Sequence, residues 1–139
     1  KRLLSFVGIS ADKIVLCLTD TEKGDWLADE ELFNGEDPLW FSESAHRVSP
    51  VFQLLQEAKK FSQKLLKAGL DQAIFPVVII KEGNIINATD ISETWKKIGV
   101  IVCRTDLGGP EDLPSFSTAL PKASDKGTED TLNQVRNLF

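Results

Sequence analysis

The hydrophobic residues of this chain fall into short runs separated by polar, glycine-bearing stretches, except in one segment where they recur with a helical period. Residues 3–9 are largely apolar and end at the turn-like Ser10-Ala11-Asp12; residues 13–18 (KIVLCL) form a second run rich in β-formers. Two such runs, so close together, predict a β-hairpin. Residues 19–36 turn polar and acidic, are broken by Gly24 and Gly35, and carry Trp26, Leu27, Leu32 and Phe33 as isolated apolar positions. That is too long for a simple turn and predicts a partly ordered excursion. Leu39-Trp40-Phe41 is a candidate short strand.

Ser49 and Pro50 then open the clearest element, a serine N-cap followed by proline at the first helical position. Val51, Leu54, Leu55, Ala58, Phe61 and Leu65 follow at helical spacing, with Gln56, Lys59, Lys60, Gln63 and Lys67 opposite and Gly69 as the C-cap. Residues 75–80 (FPVVII) predict a buried central strand with Pro76 near its start. Glu82-Gly83-Asn84 is a turn, residues 92–98 a short helix with Ser92 as candidate cap and Gly99 as its end, and residues 100–103 (VIVC) a further strand. Residues 106–127, with Gly108-Gly109-Pro110, Pro114, Pro121 and Gly127, read as loop. Thr128, Glu129 and Asp130 open a last helix carrying Leu132, Val135 and Leu138 on one face. The order predicts an α/β fold, a central mixed β-sheet flanked by helices. Residues 1–105 would form the core, with residues 106–139 as loop and C-terminal helix packing on the same domain.

With 139 residues, 42% hydrophobic and 27% charged, the chain has ordinary globular composition and enough length to bury a core. Its longest uncharged apolar run, residues 74–80, is far too short to span a bilayer, so no membrane partner is expected. The first residue is a lysine and there is no Met, which reads as a piece of a longer protein. Cys17 and Cys103 each sit in an apolar run and read as buried thiols in a reducing, cytoplasmic setting. A single His and the lack of CxxC argue against structural zinc, and no cofactor is expected. The net charge of −5 and pI near 4.9 argue against tight, non-specific nucleic-acid binding.

One constellation is more specific. Lys23-Gly24 and Trp26 follow the KIVLCL run, then come Trp40, the helix start Ser49-Pro50-Val51-Phe52-Gln53, FPVVII and VIVC. This order resembles the nuclease-related domain (NERD-like) family of the restriction-endonuclease-like PD-(D/E)XK fold, over about residues 3–104. The resemblance implies an Asp on one strand and a Glu-x-Lys at the end of the next. The acids hold a divalent ion that makes a hydroxide nucleophile, while the Lys stabilises developing charge. Carried over residue by residue, the Glu position falls on Leu18, the Lys position on Asp20 and the Asp position near Ser5. None of the three matches. The resemblance therefore implies a catalytically degenerate, pseudo-enzyme domain, a nucleic-acid- or protein-binding module of a larger protein.

Two alternatives stand beside it. Asp20, Glu22 and Lys23 could form a relocated, Mg²⁺-dependent nuclease site, although solvated charges at a strand end are the commoner fate. Or the chain is an unrelated α/β protein-interaction domain. A thioredoxin-like form of it would place Pro76 in cis, without the CxxC of redox activity. The candidate binding residues are Lys23, Trp26, Trp40, Arg47, Gln53, Lys59 and Lys60. His46-Arg47 beside Trp40 and Phe41 could contact phosphate and stack on bases, or simply anchor the loop before the helix. Lys59 and Lys60, with Lys64 and Lys67, form a basic helix face, which is more often a solvated one.

Overall fold

Strands form where apolar runs are long enough to be covered on both sides, and this places the main sheet. In the computed structural model, which describes residues 6–9, 13–32 and 34–120, the elements follow as β1 (Phe6–Ile9), β2 (Lys13–Asp20), β3 (Asp25–Trp26), β4 (Leu39–Phe41), β5 (His46–Val48), α1 (Pro50–Lys67), β6 (Ala73–Ile80), β7 (Asn84–Ile85), α2 (Ala88–Ile98), β8 (Ile101–Arg104) and α3 (Phe116–Ala119). Among the described residues the main sheet has four strands in the order β1-β2-β6-β8. β1 is antiparallel to β2, while β2, β6 and β8 run parallel. Two smaller ladders stand apart: β3 beside β7 in parallel and β4 beside β5 antiparallel. The protein is thus α/β, with a mixed sheet and helices packed on it.

The period of two along each strand sorts the core into two layers. Ile14, Leu16 and Leu18 of β2, Val78 and Ile80 of β6 and Val102 of β8 belong to one cluster with Val51, Leu54, Phe61 and Leu65 of α1 and Trp95 of α2. Cys17, Val77, Ile79 and Cys103 form the other, against which Phe116 and Ala119 of α3 and Leu120 pack. β6 is apolar without alternation because both its faces are covered. Pro76 is tolerated because β8 begins opposite Val77, so at Pro76 the strand has a neighbour, Leu16 of β2, on one side alone. No cis peptide bond occurs among the described residues, so the thioredoxin-type placement of Pro76 is not found.

α1 starts as its sequence dictates, with Ser49 Oγ accepting from the Phe52 N–H at 3.2 Å and Pro50 in the first turn. Ala68 is its C-cap, and Gly69, at φ +71°, is the left-handed residue just beyond. Several expectations are corrected. α2 begins at Ala88 with Asn87 as N-cap rather than at Ser92, which lies inside the helix and donates its hydroxyl to Thr89 O at 2.8 Å. β2 runs on to Asp20, because Asp20 O still accepts the Lys81 N–H at 3.0 Å as the partner strand ends. The stretch from residue 106 contains α3 instead of loop throughout. β3, β5 and β7 were not signalled, being two or three residues long with no apolar period to read. The expected hairpin turn at residues 10–12 and the last helix from Thr128 lie outside the described residues.

Candidate functional site

In parallel α/β sheets, ligands collect beyond the carboxyl ends of the strands, and Asp20, one of the positions singled out by the nuclease resemblance, falls there. Asp20 ends β2 in register with Ile80 of β6, on the same side of the sheet as Leu16 and Leu18. It is buried and is met by Arg47: Nη1 donates to Oδ1 and Nη2 to Oδ2, both at 2.8 Å. This is the bidentate fork that suits a guanidinium and a carboxylate.

Arg47 is held by a hairpin. In the β4–β5 register it lies opposite Trp40, and cross-strand partners share a face, so the buried Trp40 brings Arg47 inward with it. The next pair, Phe41 and His46, lies on the outer side with ring centroids 6.2 Å apart. The guanidinium carbon sits 4.3 Å from the ring centroid of Trp26 and 5.3 Å from that of Trp40. Cation–π contacts of this kind strengthen when shielded from water. Arg47 Nε has no hydrogen-bond partner among the described residues, so the indoles are its remaining compensation.

A second carboxylate extends the network. Glu30 accepts from Trp40 Nε1 at 3.1 Å, from Trp95 Nε1 at 2.9 Å and from Ser49 Oγ. Burial pushes its carboxyl above the usual value of 4.5, against the hydrogen bonds of Ser49, Trp95 and Trp40, which favour the charged form. Trp40 and Trp95 lie 6.4 Å apart and tilted by 35°. The same Ser49 hydroxyl also caps α1, so the helix start and the acidic excursion are fastened at one atom.

The remaining sequence candidates are placed apart from this network. Leu18 is buried in the core and offers no oxygen to a cation; Ser5 lies outside the described residues. Glu22 and Lys23 are exposed, and Glu22 touches Asp20 solely through its backbone N–H at 3.5 Å. β2 stops at Asp20, so the two carboxylates do not alternate onto one side. Lys23 contributes its backbone, accepting from Trp26 Nε1 at 3.0 Å. Gln53, Lys59 and Lys60 are exposed on α1, and Lys60 reaches Glu57 at 3.4 Å. No group of three His, Cys, Asp or Glu side chains converges among the described residues. With Leu18 apolar and Asp20 taken up by Arg47, the residues present do not fit the divalent ion that the family would hold.

Asp20 and Arg47 were each visible in the sequence, but not as partners, since 27 residues separate them. Glu30, Ser49 and Trp95 were missed as members of the same cluster. A signal existed: buried tryptophans need an acceptor for each indole N–H, and the acidic excursion beside Trp26 and Trp40 is the nearest source.

In comparisons with known proteins, no family model, no curated protein and no solved structure matches the chain.

Proposed function

We propose that this domain is a catalytically degenerate nuclease-like module, restriction-endonuclease-like in fold, that binds a protein partner as part of a larger protein. One observation carries the reading. Where the resemblance puts the metal-binding Glu stands the buried Leu18, and where it puts the catalytic Lys stands Asp20, engaged on both oxygens by Arg47, whose guanidinium lies against Trp26 and Trp40. A carboxylate already engaged on both oxygens has to break that pair before it can hold a cation. The nuclease-like assignment is supported by the hairpin β1–β2 lying beside β6 with α1 packed across β2 and β6.

A protein partner is favoured over nucleic acid by the same residues. Stacking on bases needs exposed rings and a free cation, whereas Trp26 and Trp40 are buried and Arg47 is paired. The exposed lysines Lys59, Lys60, Lys64 and Lys67 of α1 remain as the one basic surface the sequence offered to phosphates, on a chain of net charge −5.

The test is incubation of the domain with labelled single- and double-stranded DNA, with and without Mg²⁺ or Mn²⁺, read on a gel and by anisotropy at low salt. No cleavage is expected, and Asp20→Ala should lower stability without altering any nucleic-acid readout. Metal-dependent cutting abolished by Asp20→Ala would refute the degenerate reading. Tight, salt-sensitive DNA binding lost in a Lys59→Glu/Lys60→Glu variant would replace the protein partner by nucleic acid.

A further inference from the structure

On the outer side of the acidic excursion lies a cleft that the buried network does not use. It has a volume of about 320 Å³ and is lined by Asp29, Glu31, Glu36, Asp37, Leu39 and Phe41. That is near the bottom of the range of about 300–1,000 Å³ typical of ligand clefts, room for one or two side chains rather than a cofactor. Its apolar part is continuous with exposed hydrophobic surface. Phe41 is 44% exposed and exchanges backbone hydrogen bonds with Leu27, itself 43% exposed, at 2.7 and 3.0 Å. Leu32 is 62% exposed. Apolar side chains gathered in this way beside a cleft are the usual mark of an interaction surface.

The charge around the cleft is one-signed. Between Gly24 and His46 the chain carries seven acids and no Lys or Arg, more negative charge than the −5 of the whole protein. Glu30 turns inward to the indoles, whereas Asp29, Glu31, Glu36 and Asp37 stay on the surface and line the cleft. None of these four is in an ion pair among the described residues. Asp29 accepts the Glu31 N–H at 3.0 Å on one oxygen. Four like charges around an apolar floor repel one another, and a cation brought in by a ligand relieves that repulsion.

We infer that this cleft docks a cationic peptide segment of a protein partner, one or two Leu- or Phe-sized side chains resting on Leu39 and Phe41 and flanking Lys or Arg residues meeting Asp29, Glu31, Glu36 and Asp37. The inference deepens the reading of the domain as a protein-binding module and rests on it for the class of partner. Nucleic acid is repelled at this surface.

The experiment is an anisotropy titration of the full chain against the fluorescein-labelled peptide KKLFKK, with EELFEE and KKSSKK as controls. Saturable binding of KKLFKK alone is expected, weakened about tenfold or more by the exposed-surface double variant Glu36→Lys/Asp37→Lys, as for mutation of charges that steer and hold a partner. Unchanged denaturation midpoints establish that the variant is folded; should it not be, Glu36→Gln is expected to weaken binding in the same direction. No saturable binding of KKLFKK, equal binding of either control, or indifference to Glu36→Lys/Asp37→Lys and Glu36→Gln each overturns the cleft. None of these outcomes involves cleavage, so they leave the non-catalytic reading standing, while metal-dependent cleavage would sink that reading and not the cleft.

Discussion

Arg47 and Asp20 share two hydrogen bonds of 2.8 Å across 27 residues of chain, with the carboxylate buried and the guanidinium against two indoles. Such a pair holds the β4–β5 hairpin against the end of β2, and its value lies in both members being present. Removing one leaves the other charged, shielded and unmatched. Arg47→Ala or Asp20→Ala should therefore destabilise the domain by about 3 kcal/mol in urea denaturation, the lower end of the range for breaking a buried pair, because Arg47 keeps some contact with water. The double variant should cost clearly less than the sum of the singles. Strict additivity would show that the pair is not coupled.

Glu30 makes stability depend on pH. Its folded value lies above the 4.5 of a free glutamate, chiefly through burial. The folded state thus binds more protons than the unfolded state across that window. The stability linked to Glu30 is complete below 4.5, declines as pH rises through the raised folded value and is level above it. Glu30→Gln removes this dependence, so the stability difference between wild type and Glu30→Gln should shrink as pH rises through the window. Trp95→Phe, which deletes a donor that favours the charged form, should shift the window to still higher pH. Unfolding free energies measured across the acid range check both.

Gly83 is a packing requirement. A Cβ placed there would stand 2.6 Å from Glu22 O and 3.3 Å from Gly24 O, both backbone atoms with little room to move. Gly83→Ala should loosen the β3–β7 ladder and lower stability by about 1–3 kcal/mol, as other small-to-large changes in packed sites do. Thermal unfolding with Trp fluorescence as the probe, since Trp26 lies in β3, will show it.

The two thiols should be silent in the native protein. Cys17 and Cys103 are fully buried, and burial pushes each thiol from 9.0 up to about 12. The thiolate is the reactive form, so native protein should not react with a disulfide reagent at pH 8 faster than it unfolds. The stability these groups contribute is intact below pH 9.0 and falls as pH rises from 9.0 toward about 12. Rapid labelling of either cysteine at pH 8 without unfolding would contradict their burial.

The sequence makes the long elements legible, and the physical reason is periodicity. α1 could be read from Ser49 to Gly69 because cap, period and terminating glycine agree, and β2, β6 and β8 because each is an apolar run between polar ends. β3, β5 and β7 could not, because two- and three-residue strands exist by pairing with distant partners rather than by a pattern of their own. Asn87 illustrates the same limit. Its neighbours gave no cap signal, and its side chain is turned elsewhere. At the site, the sequence offered Asp20 as a catalytic position and Trp26, Trp40 and Arg47 as binding residues, whereas the structure packs these four side chains against one another. What ties Trp40 on to Trp95 and Ser49 is Glu30, an acid indistinguishable in sequence from the solvated acids on either side of it.

The Asn87 amide closes the excursion in a way that has a kinetic meaning. Its Oδ1 accepts the Ala28 N–H at 2.9 Å and its Nδ2 donates to Ala28 O at 2.8 Å, so one side chain extends the β3–β7 ladder as a strand would. Among the described residues, the bonds fastening this stretch to β7 and Asn87 span about sixty residues, that from Asn84 Nδ2 to Asp25 Oδ1 among them, 59 apart. β2 meets β6 over the same separation, but in eight register pairs against the two of β3–β7, so once the sheet has closed that loop the excursion adds little further closure cost. The sheet of β2, β6 and β8 should accordingly assemble first and the excursion zip onto it last. The same order in reverse makes the acidic stretch the first part to open, so its amides should exchange with solvent by local openings well before those of β6.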